Sequence, residues 1–210
     1  MPTTNILEQR DYIIIIARSA ASREQNHPLY EHWLAAQASL IDLAKKCQEL
    51  DSDGLTVYEA STPIWKYEDT DVKRLAEILQ RQNTTPDTEN LSKINLQEAL
   101  RDALSDYFKR KATPKAKKGA IIVVVIDEKQ EDGKPVAEII INAANKVARD
   151  EEIGISFIQI GEDLETQDFL TYLDNNLQQA GAKFDIVDVH FWQEIKKSSI
   201  VQFLIGAIND

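Results

Sequence analysis

Two short polar segments carry side chains suited to chemistry, and each follows a run of β-branched residues. The first reads Ala17-Arg-Ser-Ala-Ala-Ser-Arg-Glu24, and the second reads Asp127-Glu-Lys-Gln-Glu-Asp-Gly133. Serine hydroxyls, an asparagine and nearby backbone amides in such loops can bind a small anion or a nucleotide-like ligand. Together with Asn95, the two loops supply the candidate residues of a partner-binding face, which are Arg18, Ser19, Ser22, Arg23, Asn95, Asp127 and Glu128.

Other catalytic patterns are missing from the sequence. Neither loop is rich in glycine, and no phosphate-binding glycine motif occurs, so a dinucleotide or P-loop site has no support. Ser19 and Ser22 lack the G-x-S-x-G pattern of a hydrolase nucleophile. Cys47 lies on an apolar helical stripe, and three histidines do not readily complete a zinc site or a Cys-His pair. We therefore expect a protein that is not an enzyme and needs no cofactor.

Length and composition favour one globular domain. The chain has 210 residues, 43% of them hydrophobic, which suffices for one sizeable core over residues 11–210, preceded by a short arm over 1–10. The longest apolar runs fall well short of the roughly 20 residues of a membrane-spanning helix. With one cysteine and no secretory signal pattern, a cytoplasmic location is expected.

The charge is strongly negative, with one basic exception. A net charge of −11 should repel nucleic acid. Six basic residues nevertheless concentrate in one segment: Lys109, Arg110, Lys111, Lys115, Lys117 and Lys118. The favoured interpretation is a solvated loop that complements the negative end of the preceding helix. The alternative is a second patch that binds an acidic partner or an anionic surface.

The elements that position these residues follow from hydrophobic patterning. Continuous β-branched runs are typical of parallel strands buried on both faces. The predicted strands are Tyr12 to Ala17, Leu55 to Ala60, Ala120 to Ile126, Ile155 to Ile160 and Phe184 to Val189. Ile64 to Tyr67 follows the second strand so closely that it must pair antiparallel.

Helical stripes separate the strands. They run over Trp33 to Cys47 (with Gln37 as a polar exception), Asp71 to Arg81, Leu96 to Phe108, Val136 to Val147, Phe169 to Leu177 and Ile200 to Ile208. The fold class is therefore α/β: a doubly wound, mostly parallel sheet with one antiparallel edge strand and helices on both faces. The ligand crevice of such a sheet lies at the carboxyl ends of the strands. The basic segment leads into a strand and should lie at the opposite end.

Several segments resemble bacterial von Willebrand factor A domains. They are Asp11-Tyr-Ile-Ile-Ile-Ile16 with its serine-containing loop, Asn95 before the Leu96 helix, Ile122 to Asp127, and Ile155-Ser-Phe-Ile-Gln-Ile-Gly161. The resemblance covers nearly the whole chain. It implies a metal-ion-dependent adhesion site: a D-x-S-x-S loop, a threonine before the middle helix and a final aspartate, usually holding magnesium that a partner's carboxylate completes.

This sequence departs from that pattern at three of five ligands. The loop reads Ala17-Arg18-Ser19-Ala20-Ala21, and Ile94 stands at the threonine position, so only Ser19 and Asp127 remain. Because magnesium demands near-octahedral oxygen coordination, we expect a degenerate, metal-free site. Weak residual magnesium binding through Ser22, Thr84, Thr85 or Thr88 is the alternative.

The resemblance implies a protein-interaction module whose partner is unknown, with a related von Willebrand factor A protein as one candidate. Arg18 and Arg23 flank the altered loop, so a sharper hypothesis has them bind the partner's carboxylate directly in place of the metal. The favoured alternative is that Arg18 only pairs with Asp127, Glu128 or solvent. A small-anion site in the same crevice is a separate possibility.

Overall fold

A computed structural model describes residues 6–51, 53–84, 93–114, 116–129, 132–195 and 200–208. Its six strands form one sheet in the order β3-β2-β1-β4-β5-β6. They are β1 (Arg10–Ala17), β2 (Leu55–Glu59), β3 (Trp65–Thr70), β4 (Gly119–Ile126), β5 (Ile153–Gln159) and β6 (Val187–Phe191). All neighbouring pairs are parallel except β2 and β3. The predicted mostly parallel sheet with an antiparallel edge strand is confirmed.

The two most β-branched runs form the centre of the sheet. β1 and β4 pair in parallel along their full length, from Arg10 opposite Gly119 to Ala17 opposite Ile126. Every residue of β4 is buried. Continuous hydrophobic strands suit this position because helices cover both faces of the sheet.

The helices alternate with the strands and cover both faces. They are α1 (Tyr30–Leu50), α2 (Val72–Thr84), α3 (Leu96–Lys111), α4 (Lys134–Ala144), α5 (Leu164–Asn175), α6 (Trp192–Ile195) and α7 (Ile200–Gly206). One core joins the sheet to α3, α4 and α5. The other joins it to α1, α2 and α7. The doubly wound arrangement predicted from the sequence is therefore confirmed.

Several element boundaries differ from the sequence prediction; α5, for example, begins at Leu164 rather than Phe169. β6 begins at Val187 rather than Phe184, and just before it the Asp185 carboxylate accepts a hydrogen bond from the Val187 amide over 3.4 Å. β1 begins at Arg10, the last residue of the predicted arm. Leu7 of the arm is fully buried, and its carbonyl accepts a 2.6 Å hydrogen bond from the Tyr12 hydroxyl.

No helix in the described part of the chain is both long and apolar enough to cross a bilayer. This agrees with the absence of long apolar runs from the sequence.

Candidate functional site

The candidate site lies where the sheet reverses its strand order. From β1 the sheet continues through β2 to β3 on one side, and through β4 to β5 and β6 on the other. Loops leaving the carboxyl ends of β1 and β4 therefore diverge and leave a crevice between them. Ser19 follows β1 and Asp127 follows β4, so both lie at this crevice.

Asp127 is buried in the crevice, and both of its carboxylate oxygens accept hydrogen bonds from the protein. The Ser19 amide donates to Oδ1 over 2.9 Å. The Ser19 hydroxyl and the Trp33 indole Nε1–H donate to Oδ2 over 3.1 and 2.7 Å. Asp127 is only 2% exposed. The carboxylate is thus satisfied from inside the fold, as a buried charge requires.

Trp33 is the site residue that the sequence analysis did not identify. It lies on the apolar stripe of α1 and is completely buried. A buried indole N–H needs a hydrogen-bond acceptor. A tryptophan on the apolar face of a predicted helix therefore indicates that a polar partner lies nearby. Here the acceptor is Asp127, so one residue serves both the core and the crevice.

Arg18 is also buried, at 3% exposure. Its Nη1 donates to Asn83 Oδ1 over 2.6 Å, and its Nη2 donates to the Ser22 carbonyl over 2.7 Å. The guanidinium lies 5.2 Å from the centre of the Trp33 ring, within range for a cation–π interaction. Burial, together with the nearby Arg23 charge, lowers the pKa of Arg18 to about 10, while Asp127 opposes that change. Arg18 therefore stays charged at neutral pH.

Arg18 does not have the position that either sequence interpretation gave it. Its two terminal nitrogens bond to Asn83 and Ser22, rather than to the carboxylate of Asp127 or Glu128 or to solvent. Because Arg18 is enclosed, it presents no fork of donors to a partner's carboxylate. The hypothesis of a direct arginine bridge is wrong for Arg18 in this arrangement.

A polar network links Arg18 to two helices. The Asn83 side-chain amide donates to Gln37 Oε1 over 2.8 Å. Gln37 Nε2 donates to the Leu79 carbonyl over 3.3 Å. These contacts connect α1 with α2 behind the crevice, and they explain why a polar residue interrupts the apolar stripe of α1. Gln37 is 8% exposed, so it needs such partners.

The remaining candidate residues lie around this network. Ser22 is fully buried and donates its hydroxyl to the Ser19 carbonyl over 3.1 Å. Asn95 begins α3, where its side chain accepts a bond from the Glu98 amide over 3.2 Å. Arg23 is partly exposed, and Glu128 is exposed. The structure therefore joins Arg18, Ser19, Ser22 and Asp127, while Asn95 has a separate capping role.

Glu128 is the acidic group of the crevice that faces solvent. Partial burial raises its pKa, and the neighbouring charges of Asp127 and Asp163 raise it further, whereas His27 lowers it. The electrostatic potential around Glu128 is therefore negative. A cationic group approaching this mouth would be attracted.

A divalent cation does not fit these residues. Ala17, Ala21 and Ile94 supply no side-chain oxygen, and the oxygens of Asp127 are already used by donors. Within the described ranges, no group of three or more His, Cys, Asp or Glu side chains is arranged to hold a metal. Thr85 and Thr88 lie outside the described residues, as does the side chain of Thr84.

The basic segment lies at the opposite end of the sheet, at the start of β4, and much of it is paired internally. Lys109 pairs with Asp106 at 3.1 Å, Arg110 with Asp11 at 3.3 Å, Lys111 with Glu152, and Lys117 with both Asp51 and Asp53. Lys118 is exposed, and Lys115 lies outside the described residues. Four of the five basic residues that the structure describes in this segment are therefore in ion pairs within the chain.

Comparison with known proteins supports the fold. No family model and no curated protein sequence matches the chain. Proximal thread matrix protein 1 from the mussel byssus is similar in structure, with a TM-score of 0.57 and 14% identity over 94% of this chain. The minor pilin PilB from Streptococcus sanguinis has a TM-score of 0.51 and 11% identity over 93% of this chain.

The chain spans 47% of the mussel protein and 62% of the pilin. At these identities the likeness concerns the fold alone. It extends over nearly all of the present chain, so the whole α/β arrangement is shared rather than one motif.

Proposed function

We propose that the chain is a protein-interaction module of the bacterial von Willebrand factor A type, and that its partner binding needs no metal. The resemblance of the strand and loop segments supports the class. The partner is another protein, with a related von Willebrand factor A protein as one candidate. A reducing cytoplasm suits the single cysteine, Cys47, which is buried.

The observation that carries this proposal is the internal satisfaction of Asp127. A metal-dependent site needs an aspartate with oxygens free for the ion or its waters. Here three donors from Ser19 and Trp33 take that place. The crevice is thus held together by the protein's own hydrogen bonds, and a bridging ion has no role in forming its surface.

The same contacts argue against a small-anion site and against catalysis. Ser19 directs both its amide and its hydroxyl to Asp127, and Ser22 directs its hydroxyl to a carbonyl. Both serines are buried, so neither hydroxyl is presented to a substrate or an anion. The surface that remains around the crevice includes Arg23 and Glu128, which suits contact with a protein.

Affinity capture tests the proposal. The full chain is immobilised and exposed to extract of the source cells, once in EDTA and once in Mg²⁺, beside bare resin. We expect a stoichiometric protein partner that is retained equally in both buffers. Retention only in Mg²⁺, or no protein retained above bare resin, would overturn the proposal.

A further inference from the structure

An apolar groove opens between α4 and α5, beside the mouth of the crevice. Its volume is about 670 Å³, and its floor includes Ala137 and Ile141 from α4 and Phe169 and Tyr172 from α5. It begins at Lys129, the residue after Glu128. The groove is distinct from the buried Asp127 network, since none of that network's side chains lines it.

The groove includes one of the exposed large hydrophobic side chains, Tyr172. In the described part of the chain, the large hydrophobic side chains with high exposure are Trp65, Leu164 and Tyr172. Leu164 and Tyr172 both lie on α5, with exposures of 71% and 44%, and of these two Tyr172 lines the groove. The ring of Phe169 lies so close to Gly133 that a Cβ there would meet it at 2.4 Å. A floor of packed aromatic side chains on a surface groove is typical of a binding site.

The two helices present matching rows to the groove. α4 contributes residues 134, 137, 138 and 141, and α5 contributes residues 165, 168, 169 and 172. Both sets follow the spacing i, i+3, i+4 and i+7, which is one face of a helix over about 11 Å. A groove between two such rows is shaped to receive a third helix.

The side chains that line the groove carry a small excess of negative charge. The lining carboxylates are Glu138, Glu165 and Asp168. The lining ammonium groups are those of Lys129 and Lys134, so three negative groups face two positive ones. Lys129 is itself paired with Glu165 at 3.0 Å. The net charge of −11 on the whole chain adds to this field.

We infer that the α4–α5 groove docks a basic amphipathic helix of the partner protein. Apolar side chains of that helix, spaced i, i+3 or i+4 and i+7, pack on Ala137, Phe169 and Tyr172. Its lysines or arginines lie against Glu138 and Asp168 on opposite walls. This inference rests on the proposed interaction function and adds to it the surface and the chemistry of the partner.

A synthetic helix probes the groove directly. The probe is a fluorescein-labelled amphipathic peptide of 18 residues with a leucine face and lysine flanks, compared with versions carrying glutamate flanks or a scrambled order. We expect saturable binding of the lysine peptide, observed by fluorescence anisotropy. In ¹⁵N spectra of the full chain, the largest shifts should fall on α4 and α5.

Matched variants separate the groove from the general acidic surface. Tyr172→Ser and Asp168→Lys alter exposed groove positions, and each should weaken the peptide about tenfold. Trp65→Ser on β3 and Glu77→Lys on α2 make comparable changes at exposed positions outside the groove. Each of these control variants should leave the affinity for the peptide within about twofold.

The groove assignment would be overturned by equal weakening in both sets of variants. Spectral shifts away from α4 and α5, or tighter binding of the glutamate peptide, would also overturn it. Binding only of small apolar compounds would overturn it as well. The partner obtained by affinity capture distinguishes the two proposals. If Tyr172→Ser retains that partner as well as the original chain does, the groove assignment fails while the interaction function stands.

Discussion

Asp127 is a buried charge that accepts hydrogen bonds from donors of the fold itself. Its oxygens receive the Ser19 amide, the Ser19 hydroxyl and the Trp33 indole, and the Arg18 guanidinium supplies a positive charge nearby. Hydrogen bonds to an ionised group are stronger than those between neutral groups. These hydrogen bonds therefore hold the loop after β1 against the end of β4 and against α1.

Asp127→Asn tests this arrangement. The amide nitrogen would face either the Ser19 amide at the Oδ1 position or the Ser19 hydroxyl and the Trp33 N–H at the Oδ2 position, so at least one hydrogen bond is lost and two donors oppose each other. We expect the free energy of unfolding to fall by about 2–3 kcal/mol, measured by urea denaturation. Glu128→Gln, at the exposed neighbouring position, should change it by no more than about 0.5 kcal/mol. An equal effect of the two substitutions would contradict the assigned role of Asp127.

At this scale the sequence indicated only part of the site. Ser19 and Asp127 were placed together because each follows a buried strand, and parallel strands end at one edge of the sheet. Trp33 and Asn83 were missed because their contacts join α1 and α2 to loops distant in sequence. Gln37 was visible as a break in an apolar stripe, but its partner, Asn83, depends on how two helices pack.

At the scale of elements, Glu152 connects α3 to the start of β5. Its carboxylate accepts bonds from the Tyr107 hydroxyl at 2.9 Å and the Ala148 amide at 3.0 Å, and pairs with Lys111. Burial alone would raise the pKa of Glu152, but Lys111, the Ala148 amide and Tyr107 outweigh burial and lower it. A carboxyl whose pKa is lower in the folded state stabilises the fold above its ordinary pKa of 4.5 and loses that contribution as the pH falls through the lower value.

Glu152→Gln should therefore have a pH-dependent effect. We expect a loss of about 1–3 kcal/mol in the free energy of unfolding at pH 7. The difference from the unaltered chain should shrink as the pH is lowered from 5 toward 3, because the unaltered Glu152 is then protonated too. Glu138→Gln, exposed on α4, serves as the control. A loss that stays constant over this pH range would contradict the ionic role.

Asn95 begins α3 as an N-cap and forms a reciprocal pair with Glu98. Its Oδ1 accepts from the Glu98 amide, and its Nδ2 donates to the Glu98 carboxylate over 2.7 Å. Asn95→Ala should lower the free energy of unfolding by about 1 kcal/mol, which is measured as a lower midpoint of thermal unfolding. Asn142→Ala, exposed within α4, lacks a cap to remove and should have a smaller effect. The reverse order would contradict the capping role.

Strands and helices were more predictable than their contacts. β1 and β4 were evident because continuous β-branched runs are buried on both faces in a parallel sheet. The hairpin of β2 and β3 followed from a connection too short for a crossover. β6 starts later than predicted because its alternating pattern allowed a start at Phe184, whereas pairing with β5 begins at Val187.

At the scale of the whole molecule, the charges divide between two ends. The amino end of the sheet holds the basic segment, where Lys111 and Lys117 are paired with buried or partly buried carboxylates. The carboxyl end holds the closed crevice, with Glu128 exposed at its mouth, and the start of the α4–α5 groove. Since long-range attraction steers partners toward complementary charge, the carboxyl end is the expected side of approach for a basic protein.

The central claim is that the crevice works without a metal, and direct titration tests it. The purified full chain, treated with chelator and dialysed, is titrated with Mg²⁺ and then Mn²⁺ in a calorimeter, with thermal melting in parallel. Asp127→Asn is the matched control. We predict no binding heat and an unchanged melting temperature for both proteins. Micromolar binding with a raised melting temperature, lost in Asp127→Asn, would contradict the claim and assign the ion to Asp127.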